Sequence, residues 1–300
     1  MVKIFHSDRF VPTLPEGHRF PIVKYQLIRE QLLYEGSIRP EQLEESEPVA
    51  AEHVLAVHEA AYWEAMRYQQ LDPRTVRRIG FPQSPQLVER SRRSCQGTLS
   101  AALHALEHGI GLNIAGGTHH AFASHGEGFC LLNDLAISAR HLLDQQGVRQ
   151  ILIVDLDVHQ GNGTARLFAD EPRVFTFSMH GADNYPLRKE RSDLDIALPT
   201  GMGDTTYLDV LRGQLPRLIK QVKPDFVFFQ AGVDVLAGDR LGKLALSRIG
   251  CKTRDRLVLE TCLAYQIPVA VAIGGGYGQR LSDTVEAHAN TFRVAMELYG

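Results

Sequence analysis

Residues 150–164 constrain this chain more than any other stretch. Gln150 leads into the apolar run Ile151-Leu152-Ile153-Val154. Asp155-Leu156-Asp157-Val158-His159 follows without a break, and then Gln160-Gly161-Asn162-Gly163-Thr164. A short apolar run that stops abruptly at two carboxylates and an imidazole reads as a buried strand whose far end leaves the core. Side chains on a strand alternate faces, so Asp155, Asp157 and His159 are expected to point to one side. The glycines around Asn162 permit a tight turn and close approach of other backbone.

Similar apolar runs recur along the chain, separated by helical periodicity. Strands are expected at Val2–Phe5, Gly111–Ala115, Ile151–Val154, Arg173–Ser178, Phe226–Gln230 and Pro268–Ile273, with extended chain near Asp193–Leu198. The main helices are expected at Ser84–His108, Asn133–Gln146, Asp204–Val222, Leu246–Tyr265 and Gln279–Leu298. Ser84-Pro85 is a strong helix start and Gly109 a left-handed stop. Pro216 should kink the helix expected at Asp204–Val222 or mark its second half. Almost wholly apolar strands alternating with helices imply a three-layer α/β fold, a mainly parallel sheet with helices on both faces. No linker or repeat interrupts the pattern, so residues 1–300 are read as a single catalytic domain.

In such sheets ligands gather outside the carboxyl ends of the strands. The segments expected there are Gly116-Gly117-Thr118-His119-His120, Asp155 to His159, Ser178-Met179-His180, Ala231-Gly232-Val233-Asp234 and Gly274-Gly275-Gly276-Tyr277-Gly278. Each alone has a bland explanation: a structural histidine, a capping aspartate, a glycine turn. Together they point to a site. Asp157, His159 and Asp234 supply two carboxylates and one imidazole, the donor set of a hydrolytic zinc centre with an open position. His119 and His120 suit proton transfer near neutral pH, with Asp155 and Asn162 as the partners that fix their tautomers. Tyr277 can offer a hydroxyl to a developing oxyanion.

Composition bounds the function. A net charge of −3 with 22% charged residues carries no basic footprint for direct nucleic-acid binding. Cys95, Cys130, Cys251 and Cys262 form no Cys-x-x-Cys pair, which argues against a thiolate zinc site. The first residues are charged too early for a secretory signal, and no apolar run is long enough for a membrane span. A cytoplasmic location with reduced thiols is the expectation.

Six motifs in order, His119-His120, Gly128-Phe129-Cys130, Asp155 to Gly163, Ala231 to Asp234, Gly238-Asp239-Arg240-Leu241-Gly242 and Gly275-Gly276-Tyr277, resemble the zinc-dependent histone deacetylase family and its arginase-like fold. Leu87 to Ser94 and the asparagine at 162 look most like its class IV branch and the bacterial relatives of that branch. The resemblance implies one zinc ion per chain on Asp157, His159 and Asp234. His120, paired with Asn162, would be the principal general base and acid. His119, paired with Asp155, would help hold the attacking water. Tyr277 would polarise the acyl carbonyl. Gly128, Phe129, Tyr185, Leu241, Gly275 and Gly276 would line the substrate tunnel. Asp155 and Ser178, with carbonyls of Asp157, His159 and Met179, match the family's structural potassium site. Class I enzymes carry aspartate where this chain has Asn162, and an asparagine cannot ionise.

The function expected on this basis is removal of acetyl or longer acyl groups from the Nε-amine of lysine in proteins or peptides. The alternatives are hydrolysis of small acylated amines such as acetylpolyamines and, in another class, a non-catalytic acyl-lysine binder. An arginase-like dimanganese centre is disfavoured, because only one full ligand set is visible and the His119-His120 pair has no role there.

Overall fold

The structure, a computed structural model, describes residues 1–300. Eight strands form one sheet: β1 (Lys3–His6), β2 (Leu43–Glu45), β3 (Ile110–Asn113), β4 (Ile151–Asp155), β5 (Val174–Gly181), β6 (Leu194–Leu198), β7 (Phe226–Gln230) and β8 (Val269–Ala272). Their spatial order is β2-β1-β3-β8-β7-β4-β5-β6, and every neighbouring pair is parallel. The five strands β3, β8, β7, β4 and β5 are therefore contiguous, and their carboxyl ends share one edge.

The continuous apolar strands are explained by burial on both faces. Leu152 and Val154 of β4 join a 59-residue core cluster together with Val227, Phe229, Val269 and Val271. Ile151 and Ile153 point the other way, into an 18-residue cluster with Phe226, Phe228 and Ala270. Helices cover both faces. α5 (Pro85–His108) and α6 (Asp134–Gln145) supply Ala101, Ala102, Ala105, Leu135 and Ala136 to the smaller cluster. α8 (Asp204–Val222), α9 (Arg248–Ala264) and α10 (Leu281–Tyr299) supply Leu211, Leu215, Val258, Leu259 and Phe292 to the larger. The five remaining helices are α1 (Lys24–Tyr34), α2 (Ala51–Leu55), α3 (Ala60–Arg67), α4 (Pro73–Ile79) and α7 (Asn162–Leu167).

Local signals place the helix ends. Ser84 Oγ accepts from the Leu87 amide at 3.1 Å, and Gly109 closes α5 in the left-handed conformation. Asn133 Oδ1 accepts from the Ala136 amide at 3.0 Å and starts α6.

Two expectations need correction, and Pro216 is accommodated without ending its helix: α8 runs unbroken through it. The carbonyl that loses its donor belongs to Arg212, on the exposed face, where water can replace the missing N–H. β5 continues past Ser178 to Gly181, because β6 pairs alongside from Phe177↔Leu194 to Gly181↔Leu198. β4 stops at Asp155, and residues 157–159 lie in a bend. Strand alternation therefore does not bring Asp157 and His159 beside Asp155. Side chains that cap the bend do so: Asp155 Oδ1 accepts from the Asp157 amide at 3.1 Å, and Asp157 Oδ1 from the His159 amide at 3.0 Å.

Candidate active site

The bend after β4 and the loop after β7 together build a metal-binding set. Asp157, His159 and Asp234 are buried, and their ligand atoms lie within 4.8 Å of one another. His159 Nδ1 stands 3.0 Å from Asp157 Oδ1 and 3.1 Å from Asp234 Oδ2. Each carboxylate is aimed by a backbone donor. Asp157 Oδ2 accepts from Gly275 at 2.7 Å, and Asp234 Oδ1 from Val158 at 2.9 Å. No lysine or arginine pairs with either carboxylate. Burial, together with the charge of Asp157, pushes the Asp234 carboxyl up to about 7. Burial alone would lower the His159 imidazole, but hydrogen bonds to Asp157 and Asp234 raise it to about 10. Two adjacent buried carboxylates on one imidazole need a cation, and the donor set fits a divalent metal. Gly275 leaves room for it: a Cβ there would overlap a carboxylate oxygen of Asp234.

The loop after β3 sets two histidines beside this group, with ring centres 4.0 Å apart. His119 Nδ1 lies 2.6 Å from Asp155 Oδ2, and His120 Nδ1 lies 2.6 Å from Asn162 Oδ1. The two environments pull the rings apart. Burial opposes charge on His119, yet Asp155 and Asp157 raise it above the ordinary histidine value. Burial and the neighbouring His119 and His159 lower His120 well below that value. One ring thus favours its protonated form and the other its neutral form, a division of acid and base. Burial and the charges of Asp234 and Asp157 hold the Tyr277 phenol far above its ordinary value, so it stays a neutral donor.

Three positioning residues are not among the expected site residues, although Asp239 lies within the Gly238–Gly242 motif. Asp134, at the start of α6, holds the histidine loop. Its Oδ1 accepts from the Thr118 amide (2.7 Å) and hydroxyl (2.6 Å); its Oδ2 accepts from the Gly117 amide (3.0 Å) and the Thr98 hydroxyl (2.6 Å). Asp239 ties the Tyr277 loop to the cleft wall, accepting from Tyr277 (2.6 Å), Leu241 (2.8 Å) and Gly242 (2.9 Å) amides. Arg254, fully buried in α9, pairs with Asp255 at 2.7 Å and donates to the carbonyls of Leu156 (3.2 Å) and Gly232 (2.5 Å). It braces both ligand-bearing loops. One signal was available: Arg254 and Asp255 fall on the buried stripe of α9 with Cys251, Val258, Leu259 and Cys262.

A cleft of about 310 Å³ opens above this group, lined by Phe129, Gly128, Tyr185, Leu241, Tyr277, His120 and His159, with Arg19 and Arg78 at its rim. Gly128 gives His120 close access; a Cβ there would stand 2.6 Å from His120 Cδ2. At the inner end is a chamber of about 40 Å³ bounded by Phe20, Tyr25, Arg90, Ser94 and Gly275. Gly276, expected in the lining, lies buried against Val233, Thr284 and His288 instead. The side chains expected around potassium already have protein partners: Asp155 pairs with His119, and Ser178 Oγ with His180 Nδ1 at 2.9 Å.

The histone deacetylase domain model matches residues 18–292. The chain belongs to the histone deacetylase family. This deacetylase is 49% identical over 296 residues to an uncharacterized protein of Picosynechococcus, covering 99% of this chain and 98% of that one. It is 29% identical to histone deacetylase 2 of Arabidopsis thaliana, over 90% of this chain and 73% of the plant protein. Its fold matches the crystal structure of an HDAC homolog from Aquifex aeolicus at 25% identity and a TM-score of 0.83, covering 100% of this chain and 84% of that one. The structure of an HDAC homolog complexed with SAHA matches equally well. As a member of this family the enzyme is a metal-dependent amide hydrolase. No helix is long and apolar enough to cross a membrane.

Proposed function

We propose that the enzyme uses zinc to remove acyl groups, acetyl or longer, from the Nε-amine of lysine in proteins or peptides. The observation that carries this reading is the divided histidine pair beside the Asp157–His159–Asp234 set at the foot of a cleft. When bound by those three ligands, zinc supplies a Lewis acid that polarises the acyl carbonyl and acidifies water. The protein's own groups do the rest. His120, neutral and with Nδ1 engaged by Asn162, accepts the proton of the attacking water at Nε2. His119, a cation held by Asp155, orients that water and stabilises the charge that develops. Tyr277 donates its hydroxyl hydrogen to the acyl oxygen as negative charge builds there. His120 then returns its proton to the departing lysine amine.

Phe129 and Tyr185 give the cleft apolar walls suited to a lysine's methylene chain. An HDAC homolog that shares this fold has been solved in complex with SAHA, which supports a ligand-binding role for the equivalent cleft here. Asn162 supports kinship with the class IV branch. A structural potassium ion on Asp155 and Ser178, with the carbonyls of Asp157, His159 and Met179, belongs to the same proposal and rests on the family resemblance.

Acetylpolyamines form the second reading. Arg19, with no carboxylate among the residues that line the cleft, disfavours a polycation, while Arg78 is partly offset by Glu127 at 4.0 Å. The test is a panel of lysine peptides from acetyl to myristoyl beside N-acetylspermidine, each assayed with zinc-loaded enzyme. Peptides should give the higher kcat/KM. Preference for N-acetylspermidine would overturn the substrate assignment. Acyl chains beyond acetyl need the 40 Å³ inner chamber to enlarge, so the panel also reads that motion.

A further inference from the structure

Asn162 poses a problem for the base it supports. An amide is ambidextrous: its oxygen accepts, its nitrogen donates, and either end fits the same space. With the oxygen toward His120, the imidazole carries its proton on Nδ1, and Nε2 is free to take one from water. With the nitrogen toward His120, Nδ1 must accept, the proton moves to Nε2, and the ring cannot act as a base. A carboxylate at this position would leave no such choice. Something else must choose.

We infer that Glu127 makes the choice, fixing the tautomer of His120 through Asn162. Glu127 Oε1 accepts from Asn162 Nδ2 at 2.6 Å, while Asn162 Oδ1 faces His120. A carboxylate only accepts, so the nitrogen of Asn162 faces Glu127 and the oxygen faces His120. Proton placement then runs one way along the row Glu127–Asn162–His120. The carboxylate is 12% exposed, with Arg78 Nε at 4.0 Å and His125 Nε2 at 3.9 Å from its other oxygen. Those groups flank the carboxylate. The backbone fixes it as well: the Cys130 amide donates to the Glu127 carbonyl at 2.9 Å, closing the turn that lays Phe129 in the cleft wall. The negative charge that Asn162 cannot carry is thus present one side chain further out. Glu127 touches no reacting atom and is a positioning residue.

This role rests on His120 being the general base, so the test has a readout that needs no substrate. The zinc-loaded parent, Glu127→Gln, Asn162→Asp and the double variant are compared by steady-state kinetics on acetyl-lysine peptide. The parent and Glu127→Gln are also compared by imidazole ¹⁵N NMR, the His120 signals being assigned by their loss in His120→Ala. Glutamine can donate or accept, so Glu127→Gln frees the amide. We expect its kcat to fall about tenfold or more with KM nearly unchanged, the signature of impaired general-base catalysis. Asn162→Asp sets two carboxylates against each other and is also slow. The double variant recovers to near the parental kcat. Its carboxylate at position 162 accepts from His120 directly, while its amide at position 127 donates to that carboxylate. A role confined to holding the turn gives no such recovery. NMR should show His120 with Nδ1 protonated in the parent and a mixture of tautomers in Glu127→Gln. A parental kcat in Glu127→Gln, a double variant as slow as the two single losses combined, or an unchanged tautomer would each overturn the inference. If the parent cleaves no acyl-lysine peptide while the tautomer still shifts, the functional reading fails and the role of Glu127 stands.

Discussion

Asp134→Asn is the sharpest test of how the histidine loop is held. Asp134 accepts four hydrogen bonds at 2.6–3.0 Å, two from the Gly117 and Thr118 amides and two from the Thr98 and Thr118 hydroxyls. Asparagine has the same shape but one accepting oxygen. The hydroxyls can rotate to accept, whereas a backbone N–H cannot. Whichever way the new amide turns, one backbone donor faces an NH₂ group. An unsatisfied buried N–H costs about 1–3 kcal/mol, and weakening the remaining bonds from charged to neutral acceptor adds about 1 kcal/mol more. Relief from burying a carboxylate without a cationic partner offsets part of this, leaving roughly 1–3 kcal/mol of destabilisation. A chain of this size should lose several degrees in Tm, at about 2–4 °C per kcal/mol. The loop carries both histidines, and a misplacement of about 1 Å can cost on the order of 100-fold in rate. Thermal unfolding and kcat are therefore measured on the same samples. A Tm within a degree of the parent together with unchanged kcat would refute the claim that Asp134 positions the pair.

Three other outcomes follow from the site. Tyr277→Phe should lower kcat by about 10²–10³-fold, and His120→Ala by on the order of 10²–10⁴-fold, with zinc content by metal analysis unchanged in both. Gly275→Ala should keep the fold by circular dichroism but lose metal, because the added methyl overlaps Asp234 and comes within 2.8 Å of Asp157 Oδ2. Zinc competes with protons at its ligands, so apparent affinity should rise with pH. His159 holds a proton up to about 10 and Asp234 up to about 7 in the metal-free protein. Calorimetry in buffers of different ionisation enthalpy should detect about one proton released per zinc at pH 8–9 and about two below pH 6; release independent of pH would contradict these assignments.

Much of this is legible in the sequence because it is written locally. Apolar runs mark the buried strands, Ser84-Pro85 and Asn133 mark helix starts, and the polar residues just past the strand ends mark the site. Donor chemistry singles out Asp157, His159 and Asp234, and the structure brings them together. Asp155 and Asn162, expected as the partners of His119 and His120, are the residues that meet them. Strand alternation is the wrong cause for the convergence after β4: side-chain caps in a bend, and not the pleat, place Asp157 and His159. β2 has no sequence signal because Leu43-Glu44-Glu45 is a short edge strand with no apolar run. Asp134, Arg254 and Glu127 are hidden because the partners they position are distant, and Asp239, though inside a motif, reaches the Tyr277 amide 38 residues on. Arg254 reaches a carbonyl 98 residues away and Glu127 an amide 35 residues away, and no spacing rule encodes such a contact.

The central claim is that one zinc ion on Asp157, His159 and Asp234 makes this chain a lysine deacylase. The most direct measurement is titration of metal-free enzyme with zinc while following acetate release from an acetyl-lysine peptide. The account predicts activity that rises linearly to one zinc per chain, then levels off, and disappears on chelation. No acetate release with one zinc bound, or full release from the metal-free protein, would contradict it.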